Sequence, residues 1–209
     1  MIWYQYLSLG ALAVFLIAML WHFIRLIKEG KPKDLSTKSG NLPKAEVYAY
    51  TIAMMPNHKE SAYLHLPSFT AGIFFHIGIF LSILLFFVFF FISPTLFPQW
   101  LQMVLALCIG ICGLCGFGLF IKRMIVQKMR ELSHLDDFLS NFFTTLFQFF
   151  TAIYLIAGSF APIYYILVTI LLLYIPMGKL KHMLYFFAAR FHLGYFYGWR
   201  NSWPPQKNY

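Results

Sequence analysis

Charge is what this sequence of 209 residues has least of. Asp, Glu, Lys and Arg together make up 11% of it, against roughly 25% in soluble domains. Acid is scarcer than base, with seven Asp and Glu against sixteen Lys and Arg, for a net charge of +9. Residues 1–24, 61–121 and 138–178 carry none of the four charged types. Cysteine is limited to Cys108, Cys112 and Cys115, all inside one apolar run. An odd count so placed excludes a disulfide framework, and the run offers no fourth ligand for a zinc or cluster site. They read as small packing residues. The chain also lacks a glycine-rich nucleotide loop, a cluster-binding cysteine motif and an internal repeat.

What fills the space is apolar. Hydrophobic residues make up 60% of the chain and aromatics 21%, with 25 Phe alone. A water-soluble fold of this size cannot bury that much apolar surface, whereas a bilayer removes the need. The basic excess sits in short segments between apolar runs. It therefore reads as a topology signal beside an anionic membrane surface rather than as a nucleic-acid footprint.

The fold expected is all-α, an integral membrane bundle of five transmembrane helices at about 2–24, 66–92, 99–121, 136–157 and 162–184. The first run is followed, not preceded, by Arg25, Lys28, Lys31 and Lys33, which argues against a cleaved signal peptide. The second run is too long for one helix. Pro94 and Pro98 break it, because proline inside a helix removes a hydrogen bond and clashes with the preceding turn. The third divides at Gly158-Ser159-Phe160-Ala161-Pro162, with Pro162 suited to a helix's first turn. With five spans, all sixteen bases and all seven acids fall in 25–60, 122–137 and 179–209, segments that share one side. The positive-inside rule makes that side cytoplasmic, so the N-terminus is expected outside and the C-terminus inside. Residues 25–65 form a cytoplasmic loop, either ordered or a flexible linker, and 185–209 an interfacial tail alternating aromatics with bases. Ser133-His134-Leu135-Asp136 suits a capping box for the fourth helix, and Gly110, Gly113, Gly116 and Gly118 permit close helix approach.

Seven histidines remain: His22, His58, His65, His76, His134, His182 and His192. An imidazole within a span is costly and points to function. His76, in Phe75-His76-Ile77-Gly78-Ile79, lies about 13 Å along its helix from Pro67. It needs a partner for at least one ring nitrogen. The bland alternative is a hydrogen bond to backbone or hydroxyl. His182 follows the last span, near the same interface. Two such histidines on different helices could hold one haem b between them, with Lys179 and Lys181 placed for its propionates; the same lysines also suit plain positive-inside anchors. On the fourth helix Asp137, Asn141, Thr144, Thr145, Gln148 and Thr151 form a polar stripe. It serves interhelical hydrogen bonding or, more sharply, a quinone headgroup at Asn141, Thr144, Thr145 and Gln148. His22 and His65 are substitute ligand candidates, while His58, His134 and His192 read as solvated or interfacial.

The chain resembles the cytochrome b (gamma) subunit of respiratory nitrate reductase, and still more the membrane subunits paired with heterodisulfide-reductase-like iron–sulfur proteins. The matching pieces are Phe75-His76-Ile77-Gly78-Ile79, Lys122-Arg123 with Met129–Phe138, and Lys179-Leu180-Lys181-His182 after a proline. The resemblance implies two stacked haems held by four histidines on the second and fifth helices. Here only His76 and His182 match, as the cytoplasmic-side pair, while Phe86 and Tyr164 stand near where the outer ligands would fall. One haem b is thus expected. The implied role is an electron-transfer subunit, not a stand-alone enzyme, in a hetero-oligomeric complex of a prokaryotic inner (cytoplasmic) membrane. It would join the quinone pool to a cytoplasmic iron–sulfur partner, with membrane lipid around it and no nucleic acid. The alternative is a haem-free membrane scaffold that recruits a cytoplasmic protein. A transporter is disfavoured, since the middle of each span is uncharged and no broken-helix pair is evident.

Overall fold

The computed structural model describes residues 2–29, 35–58 and 60–205. Lys31 and Lys33, counted above among the bases after the first span, lie outside them. The described residues form helices and turns, with no strand among them. In chain order the helices are α1 (Trp3–Glu29), α2 (Leu42–Tyr50), α3 (Glu60–Leu64), α4 (Leu66–Val88), α5 (Gln99–Ile125), α6 (Gln127–Glu131), α7 (Leu135–Ile156), α8 (Ala161–Tyr174) and α9 (His182–Trp199). Short 3-10 turns separate several of them. Four helices, α1, α4, α5 and α7, are long and apolar enough to cross a membrane. A fifth span is reached if the broken pair 158–174 and 179–199 counts as one. Their outward faces carry Ile17, Phe80 and Leu107 at 70%, 68% and 65% exposure. So much exposed apolar surface fits a lipid solvent rather than water.

The helix breaks follow their prolines. α4 ends at Val88, four residues before the expected boundary, and Pro94 opens a 3-10 turn. α5 then starts directly after Pro98 and continues to Ile125, with Lys122 and Arg123 in its last turn, where cations suit the negative end of the helix dipole. The single helix expected at 162–184, and with it the reading that no helix pair is broken, is corrected. α8 ends at Tyr174, and α9 begins only at His182. Pro176 brings no backbone N–H, and the N–H groups of Met177 and Gly178 both turn back to the Tyr174 carbonyl, which closes the helix. Fourteen residues of α8 span about 21 Å, short of a hydrocarbon core of roughly 30 Å.

The chain divides into two compact units. The first comprises residues up to Ile17 and Pro67–Leu180, the second Ala18–Leu66 and Lys181 onward. In the first, α7 is the central helix, burying a face from Asp137 to Leu155. α4, α5 and α8 pack around it over a core that includes Phe86, Phe89, Ile109, Phe147, Tyr164 and Tyr165. Glycines set the closest approaches. The space a Cβ would need at Gly78 is taken by Gln148 and Cys112, and that at Gly116 by the Phe75 ring. Gly113 meets Phe149, whereas Gly110 and Gly118 face open space, so only two of the four α5 glycines serve packing. The free thiols differ in setting, Cys112 being buried, Cys115 partly so and Cys108 exposed.

In the second unit the 25–65 segment is ordered over most of its described length. α2 begins with Asn41 accepting from the Lys44 N–H at 3.1 Å, an N-cap that satisfies one free helix donor. It packs on α9 where Gly194 and Gly198, one turn apart, leave room for the backbone of Glu46 and the methyl of Ala45. The Trp199 indole donates to the Ser36 carbonyl at 2.8 Å, and the Tyr50 hydroxyl to the Phe187 carbonyl at 2.5 Å. Trp203 stacks on Tyr197 with ring centres 4.7 Å apart.

Candidate functional site

His76 sits on the uncharged middle of α4 with its side chain on the outer face, exposed, while its neighbour Phe75 points into the core. Its Nδ1 lies 2.7 Å from the Gly72 carbonyl one turn back. A carbonyl only accepts, so Nδ1 carries a proton, and in the neutral ring it is Nε2 that presents a lone pair. Nε2 makes no hydrogen bond among the described residues. The same orientation is what metal-ligating histidines use, one nitrogen fixed by the backbone and the other free to bind. Gly72 has nothing within 4 Å of where a Cβ would stand, and Ile73 and Phe80, three and four residues from His76 on the same helix face, are both exposed. A flat apolar group could therefore lie close to the helix on this face. The donor set fits a haem iron: one imidazole held at Nδ1, exposed apolar neighbours and no charged residue on the helix. His182 opens α9 in the second unit, with its side chain exposed.

At one end of the first unit the charges converge. Asp137, 7% exposed, accepts from the backbone N–H of His134 at 3.0 Å. The same carboxylate pairs with Arg123 at 3.1 Å and with Lys179. So the capping residue of α7 is His134, one position after the expected Ser133, whose hydroxyl donates to the Met129 carbonyl instead. Lys122 donates to Ser68 at the start of α4. Tyr174 bonds the Asp136 carboxylate and lies 3.1 Å from Ser140. Lys179, expected at a propionate, is thus held by Asp137 from the end of α8's turn. Lys181 belongs to the second unit and is partly exposed.

The polar stripe of α7 faces the bundle interior. Thr144, Thr145, Gln148 and Thr151 are buried, and Asn141 lies at the edge. Most of its hydroxyls bond their own helix. Thr144 donates to the Ser140 carbonyl at 2.6 Å and Thr151 to that of Phe147 at 2.7 Å, while Thr145 donates to the Asn141 side chain at 3.0 Å. Gln148 reaches across to α4, its Nε2 donating to the Phe75 carbonyl at 3.3 Å. A lipid-borne quinone would have to part packed helices to reach Thr144, Thr145 and Gln148, and of the four candidates only Asn141 lies at the edge.

His134 caps α7, His58 and His65 are exposed in turns, and His22 rests edge-on to Tyr185 at 6.5 Å. His192 has a more specific place than a solvated face. It lines an apolar cleft of about 660 Å³ in the second unit, with Phe23, Ile27, Tyr50, Phe187 and Phe191. Sequence reading missed this cleft, although its walls repeat at three and four residues along α1 and α9, as one face of a helix does. Among the described residues no group of three or more His, Cys, Asp or Glu side chains is placed to hold a metal ion. Compared with protein-family models, with curated proteins and with solved structures, the chain matches none.

Proposed function

We propose that this chain is a haem b-carrying membrane anchor that passes electrons between a membrane quinone and a cytoplasmic iron–sulfur protein. The observation that carries the reading is the His76 imidazole, its Nδ1 fixed to the Gly72 carbonyl and its Nε2 turned outward from an uncharged membrane-length helix. His182 is the second axial ligand by the sequence resemblance, and no further histidine pair follows, so one haem is proposed. When bound, haem b supplies a one-electron store. Around it, the chain's own residues would fix the imidazole through Nδ1 and supply an apolar face at Gly72, Ile73 and Phe80. With the base-rich segments inside, the charged end of the first unit lies at the cytoplasmic face, and the complex belongs to a prokaryotic cytoplasmic membrane. The haem-free scaffold remains the second reading, favoured by the engagement of Lys179 with Asp137, which leaves Lys181 alone for a propionate.

A quinone takes two electrons and two protons to become the quinol, so each quinone should oxidise two reduced chains. The purified protein, reduced anaerobically and mixed with a short-chain menaquinone analogue, should show saturable haem reoxidation at that ratio. Reoxidation no faster than with a redox-inert naphthalene of similar size would remove the quinone from the reading.

A further inference from the structure

The polar side chains of the first unit do more than decorate α7: they run from one end of the bundle to the other. Asp137, Ser140, Thr144, Gln148 and Thr151 recur at three- and four-residue steps, each at most 8% exposed. At 1.5 Å per residue they cover about 21 Å of helix. Ser82 of α4 and Tyr164 of α8, both fully buried, add hydroxyls to the same interior. Tyr164 stacks on Tyr154 at 4.9 Å. Its neighbour Tyr165 donates to the Phe89 carbonyl at 3.1 Å and accepts from Gln5 at 3.4 Å. Gln5 in turn accepts from the Ile2 N–H at 2.9 Å, at the exposed start of α1. At the opposite end Ser140 meets Tyr174, which bonds Asp136.

Helix packing accounts for part of this line. The back-bonded threonines and the Gln148 Nε2 contact tie helices together as polar residues do in membrane bundles. It leaves three atoms unexplained: Ser82 Oγ, Gln148 Oε1 and Tyr164 Oη are buried without a hydrogen-bond partner among the described residues. They come from three different helices, α4, α7 and α8. Buried orphans are rare in folded proteins, and ordered water is the usual answer where the site is polar. The threonine hydroxyls, each donating to a carbonyl, still offer lone pairs to such water.

We propose that water threads this interior seam, and that the seam conducts protons along the length of the bundle. Each hydroxyl or water along it accepts one proton and releases another, so a proton entering at the Asp136 and Asp137 end leaves through water at the Tyr164 end with no group consumed and no redox change; Gln5, whose amide nitrogen only donates to Tyr165, marks that end without carrying the proton. Gln148 stands near the middle, where its carboxamide joins α7 to α4, and its unpartnered oxygen fills the notch at Gly78.

The test is proton flux through the purified full-length protein in sealed liposomes, with a pH-sensitive dye inside and a potassium–valinomycin potential across the membrane. Wild type should conduct about tenfold faster than Gln148→Leu, the change expected for roughly 1.4 kcal/mol of added barrier. Tyr164→Phe should slow it similarly. Gln102→Leu should keep the wild-type rate, because Gln102 donates to the Phe97 carbonyl beside the 93–98 turn and lies off the seam. Size-exclusion profiles show which variants fold. Where Gln148→Leu does not, Tyr164→Phe, which deletes a single oxygen, decides. Wild-type flux equal to that of protein-free liposomes, or folded variants that conduct like wild type, would overturn the proposal. Either result leaves the haem reading untouched, since the flux does not depend on a reducible cofactor.

Discussion

Replacing His76 with alanine should abolish haem binding while leaving the bundle folded. The two consequences separate cleanly because of where the ring sits. It is exposed on α4, and among the described residues its hydrogen bond and its ring contact both lie within its own helix, to the Gly72 carbonyl at 2.7 Å and edge-on to Phe75 at 6.0 Å. No core packing is lost on truncation, and alanine is the better helix former by up to about 0.7 kcal/mol. The thermal midpoint of the apo-protein should therefore stay within a degree or two of wild type, while the reduced-minus-oxidised b-type spectrum disappears. His182→Ala should lose the haem as well. His58→Ala and His192→Ala should keep it, because neither lies on a proposed axial position. Full haem content in His76→Ala would show the ligand to be misassigned even if the protein binds haem by another route.

The second large effect is steric. Gly116 of α5 faces the Phe75 ring, whose atoms lie 2.3 and 2.4 Å from where a Cβ would stand, with the Thr145 hydroxyl oxygen at 2.8 Å. Phe75 is itself buried at 8% exposure, so it has little room to withdraw. Gly116→Ala should cost about 1–3 kcal/mol from overpacking, read as a lower thermal midpoint. Gly118→Ala is the counterpart on the same helix. Nothing stands within 4 Å of its Cβ position, so the change should stabilise by about 0.5–1 kcal/mol through the backbone entropy that glycine loses on folding. Opposite signs two residues apart would confirm that the α4–α5–α7 junction is set by one close contact. Equal effects would mean that the junction yields. Because Phe75 immediately precedes His76, Gly116→Ala should also lower haem occupancy.

Much of this architecture was legible in the chain because prolines and charges mark it. The breaks at Pro94, Pro98 and Pro162 fall where the sequence places them, and four of the five expected helices are present within a few residues of their expected ends. Pro176-Met177-Gly178 was just as visible. It reads as the end of a span only if one assumes that a membrane helix needs some twenty residues, and α8 stops after fourteen. Hydropathy gives no warning there, since charge returns only at Lys179. The order of residues 42–58 was not legible, because what holds α2 is Gly194, Gly198 and Trp199, some 150 residues downstream. The α7 stripe was read correctly as one polar face. Its interhelical bonding holds for Gln148 and Asp137 but not for the threonines: three hydroxyls bond within α7 itself, and the orphaned Gln148 oxygen depends on how Gly78 of α4 is placed. His76 could be singled out from sequence, but the Gly72 carbonyl that fixes its tautomer is a matter of rotamer, not of residue type.

The most direct test is the haem content of the purified chain, expressed with haem in ample supply and assayed as its pyridine haemochrome against protein concentration. Expected is one haem b per chain, lost on His76→Ala. A ratio near zero in well-folded protein would contradict the electron-carrying role and leave a membrane helix bundle whose exposed imidazole serves some other partner.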